Sequence, residues 1–117
     1  MLILCRSFLL IAAVAAVQPA QAASPAFAAA SKAHMESMDA YFTCAFAAIR
    51  ASREKGHDSG GYLAALDRDC AAEERLLRER SVRFGQARGM TPDKARATAD
   101  GAVIAARRDL VRTYSGQ

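Results

Sequence analysis

The chain has 117 residues, with sixteen Lys plus Arg against twelve Asp plus Glu, three cysteines and no tryptophan. That length has room for one domain with a modest core, a regime in which a covalent staple contributes a sizeable share of stability. With His34 and His57 as the only histidines, and neither Cys44 nor Cys70 free if the two are bonded to each other, a zinc site of ordinary ligand spacing cannot be assembled, and the chain has neither a glycine-rich phosphate loop nor a serine nucleophile motif.

The first segment carries one charge, Arg6, then an apolar run from Phe8 to Val17, then Gln-Pro-Ala-Gln-Ala ending at Ala22. This pattern predicts a secretory signal peptide over residues 1–22, cleaved after Ala22. A retained membrane anchor is disfavoured because spanning hydrocarbon takes roughly 20 apolar residues, and this run is interrupted at Gln18 and Pro19. Cys5 precedes the apolar run, as it would not in a lipoprotein, and leaves with the signal. The expected mature chain, residues 23–117, keeps Cys44 and Cys70 as its only cysteines in the oxidising periplasm or outside the cell. It has no further apolar run of membrane length.

Removal of Arg6 leaves fifteen basic residues against twelve acidic ones, unevenly spread. Residues 23–74 carry five basic and eight acidic side chains; from Arg75 onward there are ten basic and four acidic. A positive second half suits an anionic lipid or glycan surface, whereas export argues against a nucleic-acid partner. The competing reading is a solvated arginine-rich helix face.

Three helices are predicted along the mature chain, at about 25–55, 60–88 and 92–114. The first opens on Ser24-Pro25, an N-cap followed by the residue best suited to the first helical position. It closes at Arg53, Lys55 and Gly56. At roughly 100° per residue, Lys32, Glu36, Asp39, Thr43, Arg50 and Glu54 collect on one narrow strip. The rest of the surface is small or apolar, so this helix is expected at the centre with two partners. Ala30, Ala33, Ser37, Cys44, Ala48 and Ala51 form the face for the second helix. Met35, Met38, Phe42, Phe46 and Ile49 form the face for the third.

The second helix follows a polar connection, Gly56 to Gly61, with Asp58 or Ser59 as cap, and carries the stripe Leu63, Leu66, Cys70, Leu77 and Phe84. A hairpin turning at His57 brings Cys44 and Cys70 level, each thirteen residues from the pivot, and predicts one disulfide between them. The same pairing sets Ala51 against Leu63, Ala48 against Leu66, Ser37 against Leu77 and Ala30 against Phe84, so that small residues receive large ones. Such neighbours permit the alpha-carbon separation of roughly 4.4 to 6.8 Å that a disulfide needs. The third helix starts at Thr91-Pro92-Asp93 and presents Ala99, Val103, Ala106, Leu110 and Tyr114. The fold class expected is therefore all-α, a disulfide-stapled helical hairpin completed by a third helix into a three-helix bundle.

Two thioethers one helical turn apart beside an imidazole, in His34, Met35 and Met38, are the donors that Cu(I) or Ag(I) sites use. Met35 and Met38 also fall on the face expected to meet the third helix, where methionine fills gaps in cores, and a core role is the primary expectation; no cofactor is expected. Polar residues on apolar faces are the usual candidates for chemistry. Here they are Tyr41, His34, Glu73, Glu74, Asp100 and Arg107, with the hairpin placing Tyr41 level with Glu73 and His34 level with Arg80. No catalytic set emerges, because a Cys-His nucleophile is excluded when Cys44 and Cys70 are bonded.

The signal peptide, Cys44 one turn after Tyr41-Phe42, Cys70 followed by Glu73, the glycine-marked turn, and a last helix with Arg107-Arg108 and Tyr114 together resemble the small signal-peptide-bearing helical proteins of Gram-negative bacteria. The resemblance implies location and fold and no activity. The function expected is that of a periplasmic or secreted non-enzymatic protein acting by binding. The alternatives are a soft-metal site at His34, Met35 and Met38, and an anionic-surface site through arginines of the second and third helices, Arg75, Arg78 and Arg83 among them.

Overall fold

Four helices follow one another in the computed structural model, which describes residues 24–116. They are α1 (Pro25–Glu54), α2 (Ser59–Asp69), α3 (Ala71–Ala87) and α4 (Pro92–Ser115), with no strand among the described residues. The expected signal peptide, with Arg6 and Cys5, lies outside the described residues. No described helix is long and apolar enough to cross a membrane.

Helix boundaries follow local chemistry. The Ser24 hydroxyl accepts the Phe27 N–H at 3.1 Å ahead of Pro25, Asp58 accepts the Gly61 N–H at 2.8 Å, and Thr91 accepts the Lys94 N–H at 3.3 Å ahead of Pro92. Each cap satisfies a donor that the first helical turn leaves without an intrahelical partner. Gly56 and Gly89 close α1 and α3 at φ of 68° and 91°, a region costly for any residue with a side chain.

Cys44 and Cys70 are joined by a disulfide with alpha carbons 5.8 Å apart. The hairpin register holds beside it: Arg80 donates to the Ala33 carbonyl at 3.1 Å, and the Ser81 hydroxyl lies 3.1 Å from His34 Nδ1. The expected continuous second helix is instead two, because Cys70 leaves helical geometry at φ −117° and ψ 16°. α1 stays helical through Cys44, and the second arm yields at Cys70.

The central element is the α2–α3 arm, not α1. That arm packs against both α1 and α4, while the backbones of α1 and α4 approach each other almost nowhere. One face of α1 is therefore buried, through Ser37, Tyr41, Ala45, Ala48, Ile49 and Ser52, and Ala51 is exposed, contrary to the pairing expected with Leu63. The face expected to meet the last helix is only partly covered. Ile49 is buried and Met38 and Phe42 are half-buried, but Met35 is 57% and Phe46 46% exposed. The core role expected for Met35 is thus overturned by the seating of α4.

The core joins Tyr41, Ala45, Ala48 and Ile49 of α1 to Tyr62, Leu66, Cys70, Leu77, Val103 and Leu110. At the chain end of α4, Tyr114 stacks on Tyr62 with ring centroids 4.8 Å apart and donates its hydroxyl to the His57 carbonyl. Arg53 donates to the Thr113 carbonyl at 3.1 Å. The α1–α4 seam is tied shut at this end and left open toward its other end.

Candidate functional site

The open part of the seam holds two adjoining cavities of about 170 and 150 Å³. His34, Ser81 and Ala102 line both, so the two form one groove between α1, α3 and α4. Met38, Phe42, Leu77, Val103 and Ala106 complete one end, and Phe84, Gly85, Arg88, Met90 and Thr98 are among the residues of the other. No carboxylate lines either cavity.

The groove exists because α4 starts close against the end of α3 and then follows that helix. At Gly85, a Cβ would lie 3.2 Å from both the Ala95 Cβ and the Met90 sulfur. The absence of a side chain there seats α4 against α3, and the small residues Ala95, Ala99 and Ala102 leave the space in front of α1 unfilled.

His34 and Met38, one helical turn apart, share the groove wall. The imidazole stacks on the Phe84 ring, with centroids 5.0 Å apart, and burial holds its pKa below the ordinary value. It is therefore neutral near pH 7 and pairs with Ser81 as an uncharged hydrogen-bonding group. Met35 lines neither cavity, so the three donors considered for a soft metal are not gathered in the groove. Among the described residues no group of three or more His, Cys, Asp and Glu is placed to hold a metal ion.

A serine hydroxyl beside an imidazole is the start of a nucleophile–base pair. Among the described residues no carboxylate is hydrogen-bonded to His34 to orient the ring. Both residues also sit inside helices, where backbone N–H groups are spent on carbonyls four residues back and cannot stabilise an oxyanion. The Ser81–His34 pair does not have the parts for acyl transfer.

The other polar residues singled out in the sequence lie outside the two cavities. Glu74 takes Arg78 at 3.1 Å and Arg107 at 2.8 Å, Arg107 also reaches Asp67 at 2.7 Å, and Arg78 also pairs with Asp100. Burial works against the Arg107 charge, but the hydrogen bonds to Asp67 and Glu74 and the charges of both outweigh it and raise its pKa. Tyr41 and Glu73, expected level with each other, each bury an oxygen that has no hydrogen-bond partner among the described residues. Burial, with the Glu74 charge added, raises the Tyr41 pKa, and burial pushes Tyr62 up to about 12. Asp67, Glu74, Arg78, Asp100 and Arg107 cross-link α2, α3 and α4. Arg80, at the level expected beside His34, donates to the Ala33 carbonyl.

A second, more open depression of about 410 Å³ is lined by Leu63, Ile104, Val111, Arg107, Arg108 and Arg112. Arg107 is committed to Asp67 and Glu74, and Arg112 lies 3.6 Å from Asp109, so most of this rim is charge-balanced.

Ser81, Thr98 and Arg88 did not stand out in the sequence. Ser81 could have, because it interrupts the stripe from Leu77 to Phe84 at a position one turn from each. Arg88 and Thr98 carry no such signal, since both read as ordinary exposed helix-end and surface residues. Compared with family models, curated proteins and solved structures, the chain matches none.

Proposed function

We propose that the chain is an exported, non-enzymatic binding protein that holds a small, largely apolar ligand in the α1–α4 groove. The observation that carries this reading is the open seam itself, two adjoining cavities meeting at the His34–Ser81 pair between helices otherwise closed around a core. Ligand sites in proteins are concave, mainly apolar and equipped with a few convergent polar groups, with volumes from roughly 300 Å³ upward. The two cavities together reach the lower end of that range. Export to the periplasm or beyond rests on the pattern of residues 1–22, and the Cys44–Cys70 bond suits that compartment. The soft-metal and anionic-surface alternatives have less support, with Met35 outside the groove and Arg78 held by Glu74 and Asp100.

The neutral dye N-phenyl-1-naphthylamine tests the groove. Its fluorescence should rise on titration of the purified exported protein and saturate at one dye per chain. Ala102 is an exposed residue of α4 lining both cavities, so Ala102→Phe should fill the groove without touching the core. Loss of dye binding with unchanged far-ultraviolet circular dichroism is expected. Undiminished binding by that variant would remove the groove as the site.

A further inference from the structure

The two ends of the groove differ in chemistry, and the difference points to a ligand class. The inner end, beyond the His34–Ser81 pair, is walled by Met38, Phe42, Leu77, Val103 and Ala106 and offers an apolar chain no polar contact. The outer end adds the Arg88 guanidinium and the Thr98 hydroxyl. Arg88 has no carboxylate partner among the described residues; its guanidinium instead stands 5.6 Å from the Phe84 ring centroid. Of the arginines of α3 and α4 that reach a cavity or a neighbouring helix, Arg78, Arg80, Arg107 and Arg112 have a carboxylate within 4.0 Å, whereas Arg108 on the larger depression has none among the described residues. An uncompensated cation at the rim of an apolar groove without acidic lining is complementary to an anion that carries an apolar tail.

Shape narrows the class. The groove runs along α4 from Ala95 to Ala106, about 16 Å at the rise of an α-helix. Its two cavities, about 170 and 150 Å³, have room for one slender chain and not for a two-chain lipid or a fused-ring sterol.

Resting on the groove reading above, we propose that the ligand is a single-chain carboxylate of the medium-chain fatty-acid type. Its head meets Arg88 and Thr98 at the outer end, and its tail runs past the His34–Ser81 pair to Phe42 and Ala106. Ser81 and His34 satisfy each other, so the tail crosses them without leaving a buried polar group unpaired.

Displacement of N-phenyl-1-naphthylamine from the disulfide-bonded exported protein by dodecanoate and by 1-dodecanol, which share a chain and differ in head group, tests this. Dodecanoate should compete at lower concentration than the alcohol. Arg88→Gln should weaken dodecanoate about fivefold, the upper end for one ion pair at an exposed residue, and leave the alcohol within about twofold because it makes no such bond. Arg88→Lys should restore part of the preference. Equal competition by acid and alcohol, or an equal effect of Arg88→Gln on both, would overturn the carboxylate assignment while leaving the groove standing. Failure of the neutral dye itself to bind would remove the groove and this proposal together.

Discussion

Cys44 and Cys70 are bonded with alpha carbons 5.8 Å apart, and Cys70 is the point at which the second arm of the hairpin leaves helical geometry. The bond closes a loop of 26 residues in sequence separation. Chain entropy values such a closure at roughly 3 to 4 kcal/mol through the unfolded state. Urea unfolding of the oxidised and reduced protein should differ by about that amount. Reduction should leave most of the helical circular dichroism in place, because the Ala- and Leu-rich contacts of α1 with α2 and α3 do not depend on the bond. Equal midpoints for the two forms would show that the bond does not support the fold.

Ala48 and Ala47 differ only in direction. Ala48 is 5% exposed within the core cluster, and Ala47 is exposed. Ala48→Leu forces extra volume into a packed site and should cost about 1 to 3 kcal/mol, whereas Ala47→Leu should stay within about 0.5 kcal/mol of the parent, as surface changes usually do. Chemical denaturation of the pair checks it; equal losses would mean that the buried face of α1 is misplaced.

Two glycines inside helices should respond to alanine with opposite signs. Gly101, in α4, has open space where a Cβ would go, so Gly101→Ala should stabilise by about 0.5 to 1 kcal/mol through helix propensity. At Gly85 the new Cβ meets the Ala95 Cβ at 3.2 Å with the Ala95 backbone behind it at 3.5 Å, and neither can rotate away. Gly85→Ala should therefore lose about 1 kcal/mol net, overpacking outweighing propensity. Melting temperatures of the two variants, compared with the parent, read the signs directly.

His34 sets a pH dependence. Burial lowers its folded pKa below the ordinary 6.5, so in the window between the two values the unfolded chain binds the proton that the folded chain refuses. Stability is then higher above pH 6.5 and falls as pH drops from there through the window. His34→Gln should lose that component, so the parent should lose more stability than the variant between pH 7.5 and pH 5 in thermal melts. Parallel losses in the two proteins would contradict a buried neutral imidazole.

The outer helix ends, the hairpin turn and the cysteine pairing were legible in the residues alone because each depends on near neighbours or on simple counting, whereas the break at Cys70 was not. Ser24-Pro25 and Thr91-Pro92 cap α1 and α4 as their chemistry requires, and Cys44 and Cys70 meet because they are equidistant from His57. Periodicity also separated the polar strip of α1 from its apolar arc, but it could not say how much of that arc a neighbour would cover. Met35 and Phe46 are apolar residues on an apolar face, and whether they are core or surface depends on where α4 comes to rest. Tertiary packing decided that. The close approach of Gly85 to Ala95 and the stacking of Tyr114 on Tyr62 hold α4 against the α2–α3 arm, away from most of α1. The groove, with His34 and Ser81 in its wall and Arg88 at its end, arises from three helices that each satisfy their own sequence pattern. No one of them encodes it, because the space between helices is set by the mutual fit of their side chains and not by the apolar pattern of any single helix.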